Sequence, residues 1–136
     1  MDDILNKYRE KGFRLTPQRV SILEFLKDNT DHPTAEDIFS GIKKTHPTIS
    51  LATVYNTVQA LSDIGELTEL TINSERKHYD PDTSVHHHIV CTTCKKIADV
   101  FVDYSESLHL PEEILSGFQV TGNHVDFSGI CTGCVE

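Results

Sequence analysis

The sequence lacks the features of a membrane or secreted protein. No run of about 18 apolar residues is present among its 136, so no membrane-spanning helix is predicted. The N-terminal stretch MDDILNKYRE has neither the basic nor the apolar region of a signal peptide. No internal repeat or low-complexity tract is present. We therefore expect a cytoplasmic protein with no membrane partner, built as one domain or two small lobes.

Basic residues are also scarce. The net charge is −9, which argues against general binding to polyanions or to anionic membranes. Residues 81–136 hold two basic residues against eight acidic ones, whereas residues 1–80 hold ten against thirteen. Any contact with nucleic acid must therefore come from a local basic face in the first half, where the available cations are Lys7, Arg9, Lys11, Arg14 and Arg19.

The first 80 residues predict helices followed by a hairpin. A short helix over 4–11 ends at Gly12, and the next three helices begin after the capping residues Thr16, Thr34 and Ser50. The alternating stretch ELTELTI, the polar turn NSER and the strand KHYD then predict a β-hairpin. This order is the plan of a winged helix-turn-helix DNA-binding domain.

The fourth helix carries the clearest signal for function. Its predicted inner face is apolar and comprises Leu51, Val54, Tyr55, Val58, Leu61 and Ile64. Its other face is small, polar and uncharged, and comprises Ala52, Thr53, Asn56, Thr57 and Ala60. A helix in the DNA major groove needs neutral hydrogen-bonding groups and no carboxylates. The alternative is a surface helix that simply lacks charge.

The second half predicts a small α/β lobe over 85–136, joined to the first by a hinge at 81–84, so the whole chain has the α+β class. The stretches HHIVC, IADVFV and FQVTGNHVDFSGI read as strands, with a short helix over 111–116 between the second and third. A lobe of about 55 residues has a marginal core. We therefore expect a metal staple and pairing with a second copy of the chain.

Four cysteines form two Cys-x-x-Cys pairs, Cys91 with Cys94 and Cys131 with Cys134, separated by 36 residues. Two such knuckles complete a tetrahedral sulfur shell that suits structural Zn²⁺. Free thiols, a redox pair and an iron site are the alternatives, and the strand–helix context of a thioredoxin-like redox pair is missing.

Histidines and carboxylates predict a second metal site of different character. His86 and His88 point to one face of a strand, while Asp80 precedes them and Asp99 follows in the next strand. Imidazole and carboxylate ligands suit Fe²⁺, Mn²⁺ or Zn²⁺. The alternative is a polar surface. The isolated histidines, His46, His78, His109 and His124, are expected to be surface or internally satisfied residues.

Five motifs together resemble the ferric-uptake-regulator family of metal-dependent repressors. They are RLTPQR (14–19), HPTAEDIF (32–39), ISLATVYNTVQAL (49–61), HHHIVCTTCKKIAD (86–99) and CTGC (131–134). The resemblance implies a regulatory Fe²⁺ or Mn²⁺ site formed by His32, Asp80, His86, His88 and Asp99.

Two positions resemble the peroxide-sensing branch of that family, namely Asn56 in the recognition helix and Asp99 after the first knuckle. That branch implies sensing of hydrogen peroxide by oxidation of His32 and His86. A third metal site of some iron-uptake regulators looks absent, because Val85 and Asn123 occupy two of its positions and His124 is one residue out of register.

The resulting expectation is a homodimeric repressor of a palindromic DNA operator, not an enzyme, with no organic cofactor. The expected DNA contacts are Arg14, Arg19, Ser50, Thr53, Tyr55 and Asn56. The rival readings are an iron- or zinc-status repressor of the same family, a hydrolytic metalloenzyme, and a zinc-ribbon module that binds protein. The enzyme would need an open coordination position with a base beside it, and no such base is apparent in the sequence. The uncharged helix argues against the zinc-ribbon module.

Overall fold

A computed structural model describes residues 2–135, with side chains from residue 6 onward, and it confirms the predicted α+β class. Contacts divide the chain into two compact units, Met1–Ser84 and Val85–Glu136. The first contains α1 (Asp2–Glu10), α2 (Pro17–Leu26), α3 (Ala35–Ile42), α4 (Leu51–Asp63), β1 (Thr68–Leu70) and β2 (His78–Asp80). The second contains β3 (His87–Cys91), β4 (Ile97–Val100), α5 (Glu112–Leu115) and β5 (Asp126–Gly129). The assignment of 81–84 as a hinge stays a prediction.

Side-chain caps fix the starts of helices α2, α3 and α4. The hydroxyls of Thr16, Thr34 and Ser50 each accept the backbone N–H three residues on, at 3.1–3.2 Å. Asp37 completes a capping box by accepting the N–H of Thr34. These contacts satisfy donors that a helix N-terminus otherwise leaves unpaired.

The first unit has an apolar core of its own. Helices α2, α3 and α4 pack around it, and the antiparallel pair β1–β2 contributes Tyr79 to it. The core comprises Phe13, Ile22, Leu26, Ala35, Ile38, Ile42, Ile49, Val54, Val58, Leu61, Leu67 and Tyr79. This core fixes which face of α4 is left outside.

The rotation of α4 differs from the predicted one at two residues. Thr57, predicted on the outer face, is fully buried, and its Oγ1 donates to the Thr53 carbonyl at 2.7 Å. Tyr55, predicted on the inner face, is 43% exposed. The buried stripe follows Val54, Val58 and Leu61, and Tyr55, one residue after Val54, turns about 100° away from it.

The second unit is a three-stranded sheet in the order β4-β3-β5. Strand β3 is antiparallel to β4 and parallel to β5. The prediction of a long strand over 118–130 is wrong, because only residues 126–129 are in strand conformation. Strand β3 is five residues long, so the edge that it presents to β5 offers backbone partners only to a short segment. The second predicted strand likewise ends at Val100, not at residue 102.

Apolar side chains of the second unit are mostly exposed. Among its described residues, the buried hydrophobic ones are Val90, Cys91 and Ile97. Large exposed ones include Phe101, Leu108, Phe118, Val120 and Ile130. None of the helices within residues 2–135 has the length and apolar character needed to cross a membrane.

Candidate metal centres and nucleic-acid interface

The four cysteines converge at one end of the sheet. Cys91 is the last residue of β3, and it lies opposite Gly129 of the parallel neighbour β5. The chain beyond β5 therefore delivers Cys131 beside it. The Sγ atoms of Cys94 and Cys131 are 3.8 Å apart, and one sulfur from each of the four cysteines lies within 4.8 Å of the others.

This sulfur cluster has the dimensions of a zinc shell. A tetrahedron with metal–sulfur bonds of about 2.3 Å has sulfur–sulfur edges of about 3.8 Å, whereas a disulfide bond is about 2.0 Å. The backbone N–H groups of Cys131 and Cys94 donate to Cys91 Sγ at 3.4 Å. These donors lower the pKa of Cys91 to about 5, so its thiolate is favoured. Hydrogen bonds with the Cys131 and Cys94 thiols raise the pKa of Cys134 to about 12. The four sulfur ligands therefore fit a Zn²⁺ ion.

Two histidines and a carboxylate converge on the sheet of the second unit. Asp99 of β4 lies opposite His88 of β3, and His86 lies two residues before His88. Both Nε2 atoms face one oxygen, Asp99 Oδ1, at 2.9 Å for His86 and 3.2 Å for His88. The His86 ring stacks on Phe101 with centroids 4.8 Å apart. Nitrogen and oxygen donors directed at one point suit a divalent ion of intermediate hardness.

The first unit contributes a separate histidine–carboxylate pair. His32 Nε2 lies 3.5 Å from Asp80 Oδ2, and both side chains are buried. His32 has φ = 53°, in the left-handed region, where a non-glycine residue is strained. Two hydrogen bonds from β2 hold this loop, since His78 Nδ1 donates to the His32 carbonyl at 2.6 Å and the Tyr79 N–H donates to the Pro33 carbonyl at 2.9 Å.

The predicted regulatory ligands therefore occur as two sets, His86, His88 and Asp99 in the second unit and His32 and Asp80 in the first. His46, which spacing alone did not separate from His32, bonds to Ser21 Oγ at 2.6 Å instead.

Sequence reasoning did not recognise that two further residues with metal-binding side chains, His124 and Asp126, lie together. His124 Nδ1 lies 3.3 Å from Asp126 Oδ1, and one ligand atom of each lies within 4.8 Å of one from His88. The signal was present as a His-x-Asp spacing before a strand, which places two side chains on one face.

The outer face of α4 borders a concave surface. A cavity of about 460 Å³ is lined by residues of α3, α4 and the hairpin, among them Glu36, Tyr55, Asn56, Gln59, Arg76 and Lys77. The Tyr55 hydroxyl donates to Glu36 Oε1 at 2.7 Å, which lowers the pKa of Glu36 and raises that of Tyr55. Sequence reasoning placed Arg76 in the hairpin turn and Lys77 at the start of its second strand, but it did not single out either residue as functional.

The predicted base-contacting residues occupy the first two turns of α4 and its cap. Ser50 and Asn56 are exposed, and Thr53 is half-buried. Arg14 is exposed, whereas Arg19 is half-buried, donates to the Arg14 carbonyl at 3.1 Å and lies 4.7 Å from the Phe13 ring. The uncharged side chains are suited to contacts with DNA bases, and the arginines that flank them are suited to contacts with phosphates.

Known proteins resemble the chain over most of its length. A sequence model of the ferric uptake regulator family matches residues 10–128. The chain is 32% identical over 136 residues to the peroxide-responsive repressor PerR of Staphylococcus epidermidis. The alignment covers 100% of this chain and 91% of that protein. A solved structure of the ferric uptake regulator from Francisella tularensis with iron has 27% identity and a TM-score of 0.77, covering 90% of this chain and 95% of that one. PerR from Streptococcus pyogenes has 34% identity and a TM-score of 0.55, covering 98% and 91%.

Proposed function

This chain belongs to the ferric uptake regulator family, and from that premise we propose that it is a dimeric, metal-dependent DNA-binding repressor that senses hydrogen peroxide. The observation that carries the metal dependence is the convergence of His86 Nε2 and His88 Nε2 on one oxygen of Asp99. We propose that His32, Asp80, His86, His88 and Asp99 bind one Fe²⁺ or Mn²⁺, and that the four cysteines bind Zn²⁺.

The proposed regulatory ligands come from both units of the chain. An ion held by all five would restrict the orientations available to the units and select the one in which two α4 helices of a dimer fit successive major grooves. Loss of the ion would restore the wider set of orientations and release the operator.

Peroxide sensing requires a ligand that peroxide can alter. A bound Fe²⁺ would relay to the O–O bond of peroxide the two electrons that the histidine ring loses, which Mn²⁺ would not. The ring of His32 or His86 gains one oxygen atom, and the other leaves as water. An oxidised ring is a poor ligand, so repression is lifted. Support comes from the relatives named peroxide-responsive repressors and from Asn56 and Asp99, which resemble that branch of the family.

The experiment is peptide mass spectrometry of Fe²⁺-loaded and Mn²⁺-loaded protein after a low dose of hydrogen peroxide. We expect a gain of one oxygen on the peptides that contain His32 or His86, with iron only. The peptide that contains His109, an exposed histidine outside the proposed site, is the internal control.

DNA binding is measured on the same samples, with a palindromic duplex selected from a random pool. Retardation should require Mn²⁺ or Fe²⁺ and should disappear with histidine oxidation. If the histidines stay unmodified while iron still controls DNA binding, the protein is instead a sensor of metal status. If cysteine alkylation alone releases DNA before any histidine changes, the proposed sensing mechanism is wrong.

A further inference from the structure

One face of the second unit's sheet carries a row of metal-ligand side chains across all three strands. His88 of β3 lies opposite Asp99 of β4 on one side and opposite Asp126 of β5 on the other. Residues in register on neighbouring strands project to the same face, and residues two apart on one strand share a face as well. His86 and His124 lie just before these strands and border the same face, since His86 Nε2 is 2.9 Å from Asp99 Oδ1 and His124 Nδ1 is 3.3 Å from Asp126 Oδ1.

Backbone and side-chain hydrogen bonds fix the position of the His124–Asp126 segment. The Val125 N–H donates to His87 Nδ1 at 2.9 Å, and the His88 N–H donates to the Val125 carbonyl at 3.3 Å. The rings of His87 and Tyr104 form a T-shaped pair, with centroids 5.0 Å apart. Because the N–H and the carbonyl of Val125 are both hydrogen-bonded, the segment is held with the side chains of His124 and Asp126 directed at the face that His88 occupies.

We propose that His88, His124 and Asp126 form a second divalent-cation site, separate from the four-cysteine cluster. One ligand atom from each lies within 4.8 Å of the others. Two imidazoles and a carboxylate with open positions suit Fe²⁺, Co²⁺ or Zn²⁺, whose remaining ligands would be water. All three residues lie in the second unit, so the site needs no residue of the first.

The site differs in exposure from the proposed regulatory ligands. The side chains of His124 and Asp126 are 51% and 44% exposed, whereas those of His86 and Asp99 are 3% and 14% exposed. An ion bound there remains open to solvent on one side and exchanges readily. This site is therefore the more accessible of the two positions that His88 can serve.

His88 links the two positions. A neutral imidazole binds one ion through one ring nitrogen, so an ion held with His124 and Asp126 competes for His88 with an ion held with His86 and Asp99. This regulatory consequence rests on the proposed function, whereas the existence of the second site does not. Excess metal would then occupy the exposed site at the expense of the proposed regulatory one.

The test removes two of the competing ligands, His86 and Asp99, and retains the three proposed ones. Full-length, zinc-loaded His86→Ala/Asp99→Asn protein is titrated with Co²⁺, and binding is followed by visible absorbance while zinc retention is checked by elemental analysis. We expect one Co²⁺ per chain in addition to zinc. Adding His124→Ala and Asp126→Asn should weaken that binding at least about tenfold, since two of three ligands are lost.

The matched control adds His109→Ala to the same background, because His109 is an exposed histidine of the second unit outside the cluster. It should leave Co²⁺ affinity unchanged. Absence of Co²⁺ binding in the background protein, with zinc and the circular dichroism spectrum retained, would overturn the proposal. Equal affinity with and without His124 and Asp126 would overturn it as well. Neither result depends on whether the protein senses peroxide.

Discussion

At the scale of single residues, His78 decides how His32 is presented. A carbonyl only accepts hydrogen bonds, so His78 Nδ1 carries the proton in its 2.6 Å bond to the His32 carbonyl. Its Nε2 then accepts from the Asn73 side chain at 3.0 Å. The bond from His78 Nδ1 to the His32 carbonyl supports a backbone at His32 that is otherwise strained. His78 is thus a positioning residue for a proposed metal ligand.

We expect His78→Ala to weaken Mn²⁺ binding about tenfold, as loss of a residue that orients a ligand commonly does. Mn²⁺ titration followed by electron paramagnetic resonance measures this, and zinc content should not change. His78→Asn should restore part of the affinity, because its amide N–H lies near the position of Nδ1. His46→Ala, which removes a histidine bonded to Ser21 instead, is the control. Equal Mn²⁺ affinity in His78→Ala and the parent protein would contradict the positioning role.

Tyr55 also depends on one partner. Its hydroxyl donates to Glu36, so the ring is held beside the outer face of α4. Tyr55→Phe should lower affinity for the selected duplex about 5-fold, corresponding to about 1 kcal/mol for one hydrogen bond. If that bond is what matters, Glu36→Ala should add no further loss in the Tyr55→Phe background. Additive losses, measured by fluorescence anisotropy, would show that the two residues act independently.

At the scale of helices and strands, the sequence was sufficient to predict an element where neighbouring residues of the chain satisfy the hydrogen bonds of that element. Thr16, Thr34 and Ser50 cap their own helices, so three helix starts could be predicted from sequence. Residues 118–125 could not be assigned correctly, because a strand needs a partner edge and β3 is short. The exposure of Tyr55 and the burial of Thr57 depend on how α4 packs against α2 and α3, which the pattern within α4 does not encode.

The candidate site divides in the same way. The two Cys-x-x-Cys pairs and the His-x-His spacing are local, and both could be recognised directly. The proximity of His124 and Asp126 to His88 depends on the parallel register of β3 and β5, two strands that are more than thirty residues apart in the sequence. No sequence pattern specifies that register.

The cap of α4 can be separated from its proposed contact with DNA. Ser50→Ala removes the hydroxyl that accepts the Thr53 N–H at 3.1 Å and should lower the free energy of unfolding by about 1 kcal/mol. Ser50→Asp keeps a capping oxygen but adds a negative charge beside the proposed DNA interface. We expect urea denaturation to show near-parent stability for Ser50→Asp and an anisotropy assay to show a large loss of its DNA affinity. Retained DNA affinity would place Ser50 away from the DNA.

At the scale of the whole molecule, the two units gain stability in different ways. The first buries a continuous apolar core between three helices and a hairpin. The second buries few hydrophobic residues among those described and leaves Phe101, Phe118 and Ile130 more than half exposed. Apolar surface of this kind marks an interface. We therefore expect the stability of this unit to depend on a metal at the four cysteines and on the proposed second copy of the chain.

Zinc loss should therefore dissociate the proposed dimer while the first unit stays folded. We expect Cys131→Ser protein to lose zinc and to sediment as a monomer, because the chain after β5 is no longer tied to β3. Its helical circular dichroism should largely persist, since the four longer helices all lie in the first unit. Asp99→Asn, which alters a proposed regulatory ligand of the same sheet and leaves the four sulfurs intact, should retain both zinc and the dimer. A zinc-free Cys131→Ser protein that still sediments as a dimer would show that apolar contacts between copies hold the second unit together without the metal.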